Sequence, residues 1–167
     1  MRTARSTGGM VTAPHALAAQ CGASILAEGG NAIEAALAVA ATLAVVYPHM
    51  TGLGGDSFWL TAEPGRVPVT IDGAGRAGES VTASFYEERG LREIPWRGAL
   101  AANTVAGAVS AWVAAWDLSR RWGGRLTLQR IFAAAIALAE SGFPVTAGHA
   151  DAAHRFRAVL IMTGRSS

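Results

Sequence analysis

The amino-acid sequence predicts an α+β fold in which helices pack on an antiparallel or mixed sheet. Residues Ala35–Val46 are apolar on every side of a helix, so neighbours must cover that helix on more than one face. Two short strand candidates, Ser57–Thr61 and Val67–Ile71, flank a Pro-Gly turn and predict a hairpin. With 51% hydrophobic and 16% charged residues, the 167-residue chain has ample apolar surface for a core.

The elements before the hairpin are predicted from their end signals. Met10–Thr12 is typical of a short strand or a strand end, and a helix should begin at about Pro14 and stop at Gly29–Gly30. Asn31 should cap the next helix, and Glu34, three residues later, completes a capping-box pattern.

Five further elements are predicted after the hairpin. Ala83–Arg89 favours a short helix, and Ala99–Val105 favours an extended segment. Longer helices are predicted over Gly107–Trp122 and Thr127–Gly142, and a last helix from Thr146 to about Ile161. The first of these long helices should bury one stripe of large side chains: Val109, Trp112, Val113 and Trp116.

The composition excludes several kinds of chemistry. All fourteen basic residues are arginine, which excludes a Schiff-base lysine and a P-loop lysine, and their scatter argues against a nucleic-acid surface. Cys21 is the sole cysteine, and the four histidines lack metal-ligand spacing, so neither a metal nor a cofactor is expected. Met1–Gly9 has no apolar core of a signal peptide and no run is long enough to span a membrane, so we expect a cytoplasmic protein.

Two motifs suggest chemistry that their context does not support. Gly73–Gly78 matches the dinucleotide fingerprint G-x-G-x-x-G, but Glu79 would then face the pyrophosphate at the start of the helix. Ser57, His49 and Asp72 could form a triad on paper, but no G-x-S-x-G elbow supports it.

A glycine loop and an arginine leave two interpretations open. Gly52–Gly55 is either a tight turn or a place where the backbone approaches a ligand or another chain. Arg76 follows a strand candidate among small residues. It is either a carboxylate-binding group or a solvated surface arginine.

The order of these motifs resembles the γ-glutamyltransferase family of N-terminal nucleophile hydrolases. Residues 9–148 follow the family order and are predicted to be the N-terminal part of its large-subunit domain. Residues 149–167 fit less well and predict a truncation. The matching segments are Gly9–His15, Gly29–Ala36, Val46–Asp56, Asp72–Ala77, Thr104–Gly107 and Ala135–Val145.

The resemblance implies an αββα sandwich, of which this chain is an incomplete part, and an enzyme of glutathione metabolism. Such enzymes are made as a precursor that cleaves itself into a large and a small subunit. The new N-terminal threonine then attacks the γ-glutamyl carbonyl, and water or an amine resolves the acyl-enzyme. None of the twelve threonines here precedes a histidine, as the family's processing site would require. No catalytic residue is therefore expected in this chain, which should be inactive alone.

The resemblance also implies one substrate-binding residue. Family members hold the substrate α-carboxylate with an arginine in a motif like D-[GF]-R-E-x-A-P. Aligned without gaps, Ala74 takes that place and Arg76 lies two residues later. An offset of two in a strand keeps the same face, about 6–7 Å along. Arg76 is thus the predicted carboxylate site, with a spacing that resembles the family's acylase-like branch.

The sequence alone leaves more than one function open. The leading hypothesis is part of an acyl-transferring or amide-hydrolysing enzyme. Its partners would be a γ-glutamyl or other acyl donor, a water or amine acceptor, the rest of the large subunit, and the small subunit. The alternatives are a non-catalytic partner subunit that completes its sandwich with a separately encoded small subunit, or an unrelated small α/β binding module.

Overall fold

The computed structural model describes residues 3–157, and in that range it contains helices packed beside one antiparallel hairpin. The predicted α+β arrangement is confirmed. None of the helices in the described range is both long and apolar enough to cross a membrane. The elements are α1 Ala16–Ala27, α2 Ala32–Val46, β1 Ser57–Thr61, β2 Val69–Gly73, α3 Ala83–Glu87, a 3₁₀ turn Ala99–Ala101, α4 Ala108–Arg121, α5 Leu128–Ser141 and α6 Ala147–Arg155.

Helix α2 lies at the centre of the core, as its uniform apolarity predicts. It packs against α1, α4 and α5, so neighbours cover it on several sides. Its start is the predicted capping box, in which the Asn31 side chain accepts hydrogen bonds from the amides of Ile33 and Glu34. The Glu34 side chain in turn accepts from the Asn31 amide, so orphan amides at this helix end are satisfied locally.

Glu34 also joins α2 to the turn between α4 and α5. Its buried carboxylate accepts the amide of Leu126 at 2.9 Å, in addition to that of Asn31 at 2.9 Å. The Asn31 side-chain amide donates to the Ser119 hydroxyl at 3.0 Å. We call this set of hydrogen-bonded residues, Asn31, Glu34, Ser119 and Leu126, the node. Gly124 packs directly against it, because a Cβ at this position would collide with the Ser119 hydroxyl and the Glu34 carboxylate. The node fixes three helices relative to one another.

The hairpin is antiparallel, with Ser57 opposite Gly73 and Thr61 opposite Val69. The predicted bounds of β1 are confirmed. The predicted second strand, Val67–Ile71, is displaced by two residues. Pro68 has no amide to donate to a ladder, so pairing begins only after it.

The two faces of the hairpin have different environments. Trp59 and Ile71 are half-buried and pack against the core, where α4 contacts both strands. On the opposite face of β1, Phe58 and Leu60 are 70% and 75% exposed. Beside them lies an open apolar groove of about 460 Å³ between β1 and α2. Val11, Leu26, Val39 and Leu43 are among its lining side chains.

The predicted buried stripe of α4 is wrong for its two valines, whereas its two tryptophans pack against the core. Val109 and Val113 are 48% and 49% exposed, and Trp112 and Trp116 are only half-buried. Small side chains face the hairpin and α2 instead, because they allow a close approach of the backbones. The buried residues of α4 are Ala108, Ala111, Ala115, Leu118 and Ser119.

Two predicted extended segments are also corrected. Met10–Thr12 forms no strand, since its backbone pairs with no other strand among the described residues. In the predicted segment Ala99–Val105, a 3₁₀ turn follows Gly98, whose φ is +92°. Only Thr104 pairs, in a single antiparallel bridge with Ala77.

The last two helices begin at the predicted residues, and each has a threonine cap. The side chain of Thr127 accepts from the Arg130 amide, and α5 ends at Gly142, whose φ is +82°. Thr146 caps α6 in the same way. The predicted continuation of this helix to Ile161 lies partly outside the described residues.

Candidate functional site

Three loop segments meet at the N-terminal end of α4. The Gly55 carbonyl accepts the amides of Gly107 at 3.1 Å and Ala108 at 2.9 Å. Gly107, the N-cap of α4, has no side chain to bond these orphan amides. The glycine loop before β1 therefore caps the helix with its backbone, and this contact fixes the base of the loop.

The segment after β2 is held by two carboxylates. Asp72 accepts the amide of Ala74 at 2.9 Å, and Asp56 accepts the amide of Gly75 at 3.3 Å. The hairpin register explains the second contact, because Ser57 lies opposite Gly73 and thereby brings Asp56 beside this segment. The sequence alone does not predict this role of Asp56, since its partner is nineteen residues away.

Two glycines of the G-x-G-x-x-G match, Gly73 and Gly75, allow close packing of backbones, as does Gly107 at the start of α4. A Cβ on Gly75 would overlap the Val105 carbonyl, and one on Gly107 would overlap the Gly73 carbonyl. The next helix, α3, begins only at Ala83 and has five residues. The arrangement differs from a phosphate-binding loop that leads directly into a long helix.

Arg76 lies at the edge of this packed segment. Its carbonyl accepts the amide of Val105 at 3.0 Å, and the neighbouring Ala77 bridges to Thr104. The side chain is exposed, and within residues 3–157 no carboxylate or other acceptor bonds its guanidinium. The Arg76 backbone is thus fixed, while the N–H donors of its guanidinium are available to a ligand.

The tip of the Gly52–Gly55 loop is open. A Cβ on Gly52 or Gly54 would meet nothing within 4 Å among the described residues. Neither glycine has a positive φ, so no strained turn requires them. Of the two interpretations, the geometry favours close approach by a ligand or by another part of the protein.

The three residues of the hypothetical triad make other contacts. The Ser57 hydroxyl accepts the indole N–H of Trp59 at 2.9 Å, and Asp72 accepts the amide of Ala74. The His49 ring stacks on His149 with centroids 5.2 Å apart. In the described part of the chain, no three His, Cys, Asp or Glu side chains cluster in a way that could hold a metal.

Comparison with known families agrees with this arrangement of motifs. The family model for gamma-glutamyltranspeptidase matches residues 18–163. The chain belongs to the gamma-glutamyltranspeptidase family. The predicted membership is confirmed.

Two of the similar curated proteins are named as hydrolase proenzymes. The chain is 55% identical over 148 residues to an oxamate amidohydrolase proenzyme of Klebsiella pneumoniae, covering 88% of this chain and 28% of that one. It is 50% identical over 139 residues to a glutathione hydrolase-like YwrD proenzyme of Bacillus subtilis, covering 83% and 25%. The chain therefore spans about a quarter of the length of these relatives.

Solved structures show the same fold. The gamma-glutamyltranspeptidase of Pseudomonas nitroreducens, complexed with L-DON, superposes with a TM-score of 0.79 at 31% identity, covering 97% of this chain and 47% of that one. The Helicobacter pylori gamma-glutamyltranspeptidase gives 0.80 at 28% identity, covering 94% and 44%. These neighbours are N-terminal nucleophile hydrolases, so the helices and hairpin described above form part of that fold.

Proposed function

We propose that this chain is the carboxylate-binding part of an enzyme that hydrolyses or transfers the acyl group of an amide. One observation carries the proposal. The Arg76 main chain is fixed by Val105, whereas its guanidinium is exposed and has no partner within residues 3–157. A planar fork of this kind binds a carboxylate through two parallel hydrogen bonds.

The names of the relatives support a donor that carries both an amide and a free carboxylate. Oxamate and glutathione each have both groups, but they differ in the distance between them. In oxamate the carboxylate is bonded directly to the amide carbonyl carbon. In a γ-glutamyl donor three carbons separate them. Arg76 lies beyond the end of β2, two residues after the place of the family arginine. Two residues of chain span at most about 7 Å, which is enough to change which donor fits.

The nucleophile is proposed to come from the portion of the relatives that this chain does not span. There an N-terminal threonine would attack the amide carbonyl, and its α-amine would accept the hydroxyl proton. The C–N bond then breaks, and ammonia or an amine leaves with that proton. Water or an acceptor amine attacks the resulting ester and releases the threonine hydroxyl.

The same missing portion is proposed to cover the apolar face beside β1. Phe58 and Leu60 are exposed there, next to the groove between β1 and α2. A strand whose two faces are both apolar is normally buried on both sides. The rest of the large subunit and the small subunit would supply the second layer. The non-catalytic partner subunit is not favoured, because the similar curated proteins are named as proenzymes.

The test needs an active enzyme that contains this chain. We define the chimeric enzyme as the Klebsiella relative with its matched segment replaced by the residues of this chain that align with it. Its Arg76→Ala variant should lose about 10- to 150-fold in kcat/KM for oxamate, because a charge-assisted pair is removed. Oxamide, which has an amide in place of the carboxylate, should be affected far less. Arg76→Lys should recover only part of the loss.

The measurement is the ratio of kcat/KM values for oxamate and oxamide, followed by ammonia release. Arg92→Ala is the matched control, since Arg92 is also exposed and forms no ion pair within residues 3–157. The same comparison with a γ-glutamyl anilide and its analogue without the α-carboxylate shows which donor length fits. An unchanged ratio in Arg76→Ala for both donor pairs would show that Arg76 is a solvated surface residue.

A further inference from the structure

Asp56 is a charged residue that the proposed chemistry does not use. It lies between the open glycine loop and β1, and its side chain is exposed. The hydrogen bond that it forms runs from the Gly75 amide to its carboxylate, at 3.3 Å. Gly75 immediately precedes Arg76, so this contact is one residue from the proposed carboxylate site.

We propose that Asp56 is a positioning residue that holds the Gly73–Arg76 segment and thereby directs Arg76 towards the substrate carboxylate. This inference rests on the proposed function of Arg76. Asp56 acts through the backbone and does not touch the substrate itself.

The segment is anchored from two sides, and Asp56 supplies one of them. On one side, the Arg76 carbonyl is bonded to the Val105 amide, and Gly78 donates to the Asn103 carbonyl. On the other side, Asp56 ties the Gly75 amide to the start of β1. Among the described residues that amide has no other acceptor. Removing the Asp56 carboxylate leaves the Gly75 amide without an acceptor, and the segment is then held by Val105 and Asn103 on one side and by the bond from the Ala74 amide to Asp72 before it.

Gly75 cannot be anchored by a side chain of its own. A Cβ at this position would overlap the Val105 carbonyl. The backbone therefore has to pass close to Val105 without a side chain, and its amide points away towards Asp56. Among the described residues, the carboxylate of Asp56, just before β1, is the one group that accepts a hydrogen bond from this amide.

Charge and position predict opposite effects at Asp56. A carboxylate near an anion-binding site repels the anion, so removing its charge alone would strengthen binding. Loss of a positioning contact would weaken it instead. Asp56→Asn keeps an oxygen acceptor but removes the charge, so this variant separates the two effects.

The experiment uses the chimeric enzyme and the ratio of kcat/KM for oxamate and oxamide. Asp56→Ala should lower this ratio about 5- to 10-fold, mainly through KM for oxamate, which corresponds to one ordinary hydrogen bond. Asp56→Asn should retain or exceed the original ratio. Glu79→Ala is the matched control, because it removes an exposed carboxylate near Arg76 that makes no hydrogen bond or ion pair within residues 3–157. It should not lower the ratio.

A double-mutant cycle separates failure of this inference from failure of the proposed function. In the Arg76→Ala background, Asp56→Ala should cause no further loss of the ratio. If Arg76→Ala alone leaves the ratio unchanged, the proposed function is wrong. If Arg76→Ala lowers it but Asp56→Ala does not, or raises it, Asp56 is not a positioning residue and the proposed function stands.

Hydrogen exchange tests the contact without any activity. In the 167-residue chain, Asp56→Ala should accelerate exchange of the Gly75 amide at least several-fold, while the Val105 amide keeps its protection. Asp56→Asn should restore most of the protection at Gly75. Equal exchange rates at Gly75 in all three proteins would overturn the inference.

Discussion

Replacing Gly124 with alanine should destabilise the fold through a purely steric effect. Gly124 has no positive φ, so alanine can adopt its backbone conformation. The added methyl group would collide with the Ser119 hydroxyl and lie 2.7 Å from a Glu34 carboxylate oxygen. Ser119 and Glu34 are both fully buried, so neither side chain can turn into solvent to make room.

The expected cost combines overpacking with damage to a buried hydrogen-bond network. Overpacking a core costs about 1–3 kcal/mol. Displacing the carboxylate from the amides of Asn31 or Leu126 adds about 1–3 kcal/mol for an unsatisfied buried group. Because relaxation relieves part of each, we expect the free energy of unfolding to fall by about 2–4 kcal/mol. For a domain of this size the melting temperature should fall by roughly 5–15 °C.

Urea unfolding followed by circular dichroism at 222 nm measures this change. Gly54→Ala is the matched control, because it is the same substitution at a position where a Cβ meets nothing among the described residues. It should change the free energy of unfolding by less than about 0.5 kcal/mol. The double variant Gly124→Ala/Ser119→Ala should recover part of the loss, since it removes the hydroxyl that the methyl group strikes. A change below about 0.5 kcal/mol for Gly124→Ala would refute the steric argument.

Two further predictions concern the open loop and the exposed face of the hairpin. In the chimeric enzyme, Gly54→Ala should lower kcat/KM about 10-fold or more without loss of stability. The added methyl group would occupy space that a ligand or the rest of the protein approaches. Unchanged kcat/KM would contradict this role of the loop. The 167-residue chain should associate and bind a hydrophobic dye, and Leu60→Ser should reduce both because Leu60 is 75% exposed. Light scattering that shows a dye-negative monomer for the unsubstituted chain would contradict the exposed apolar face.

Local signals predicted the parts of the fold that depend on neighbouring residues. The capping box of Asn31 and Glu34, the starts of α5 and α6, and the bounds of β1 follow from signals that the sequence shows directly. The sequence predicts β2 two residues too early, because Val67 favours a strand but the missing amide of Pro68 prevents pairing before Val69.

Contacts between distant segments could not be predicted in the same way. In α4 the alanines and valines both fit a helical stripe, and only the close approach of α2 and the hairpin selects the alanines. Arg76 was recognised as a candidate from its residue type and its place after a strand. The bond from the Gly75 amide to Asp56 and the capping of α4 by Gly55 were missed, because each requires the hairpin register and the helix position at once.

This chain belongs to the gamma-glutamyltranspeptidase family, and we propose that it is part of an amide-cleaving enzyme whose nucleophile lies outside it. The most direct measurement is ammonia release from oxamate by three proteins: the 167-residue chain, the chimeric enzyme, and the chimera with its N-terminal threonine nucleophile replaced by alanine. Only the unsubstituted chimera should release ammonia. Turnover by the 167-residue chain, or a folded and correctly cleaved chimera without turnover of oxamate or any γ-glutamyl donor, would contradict it.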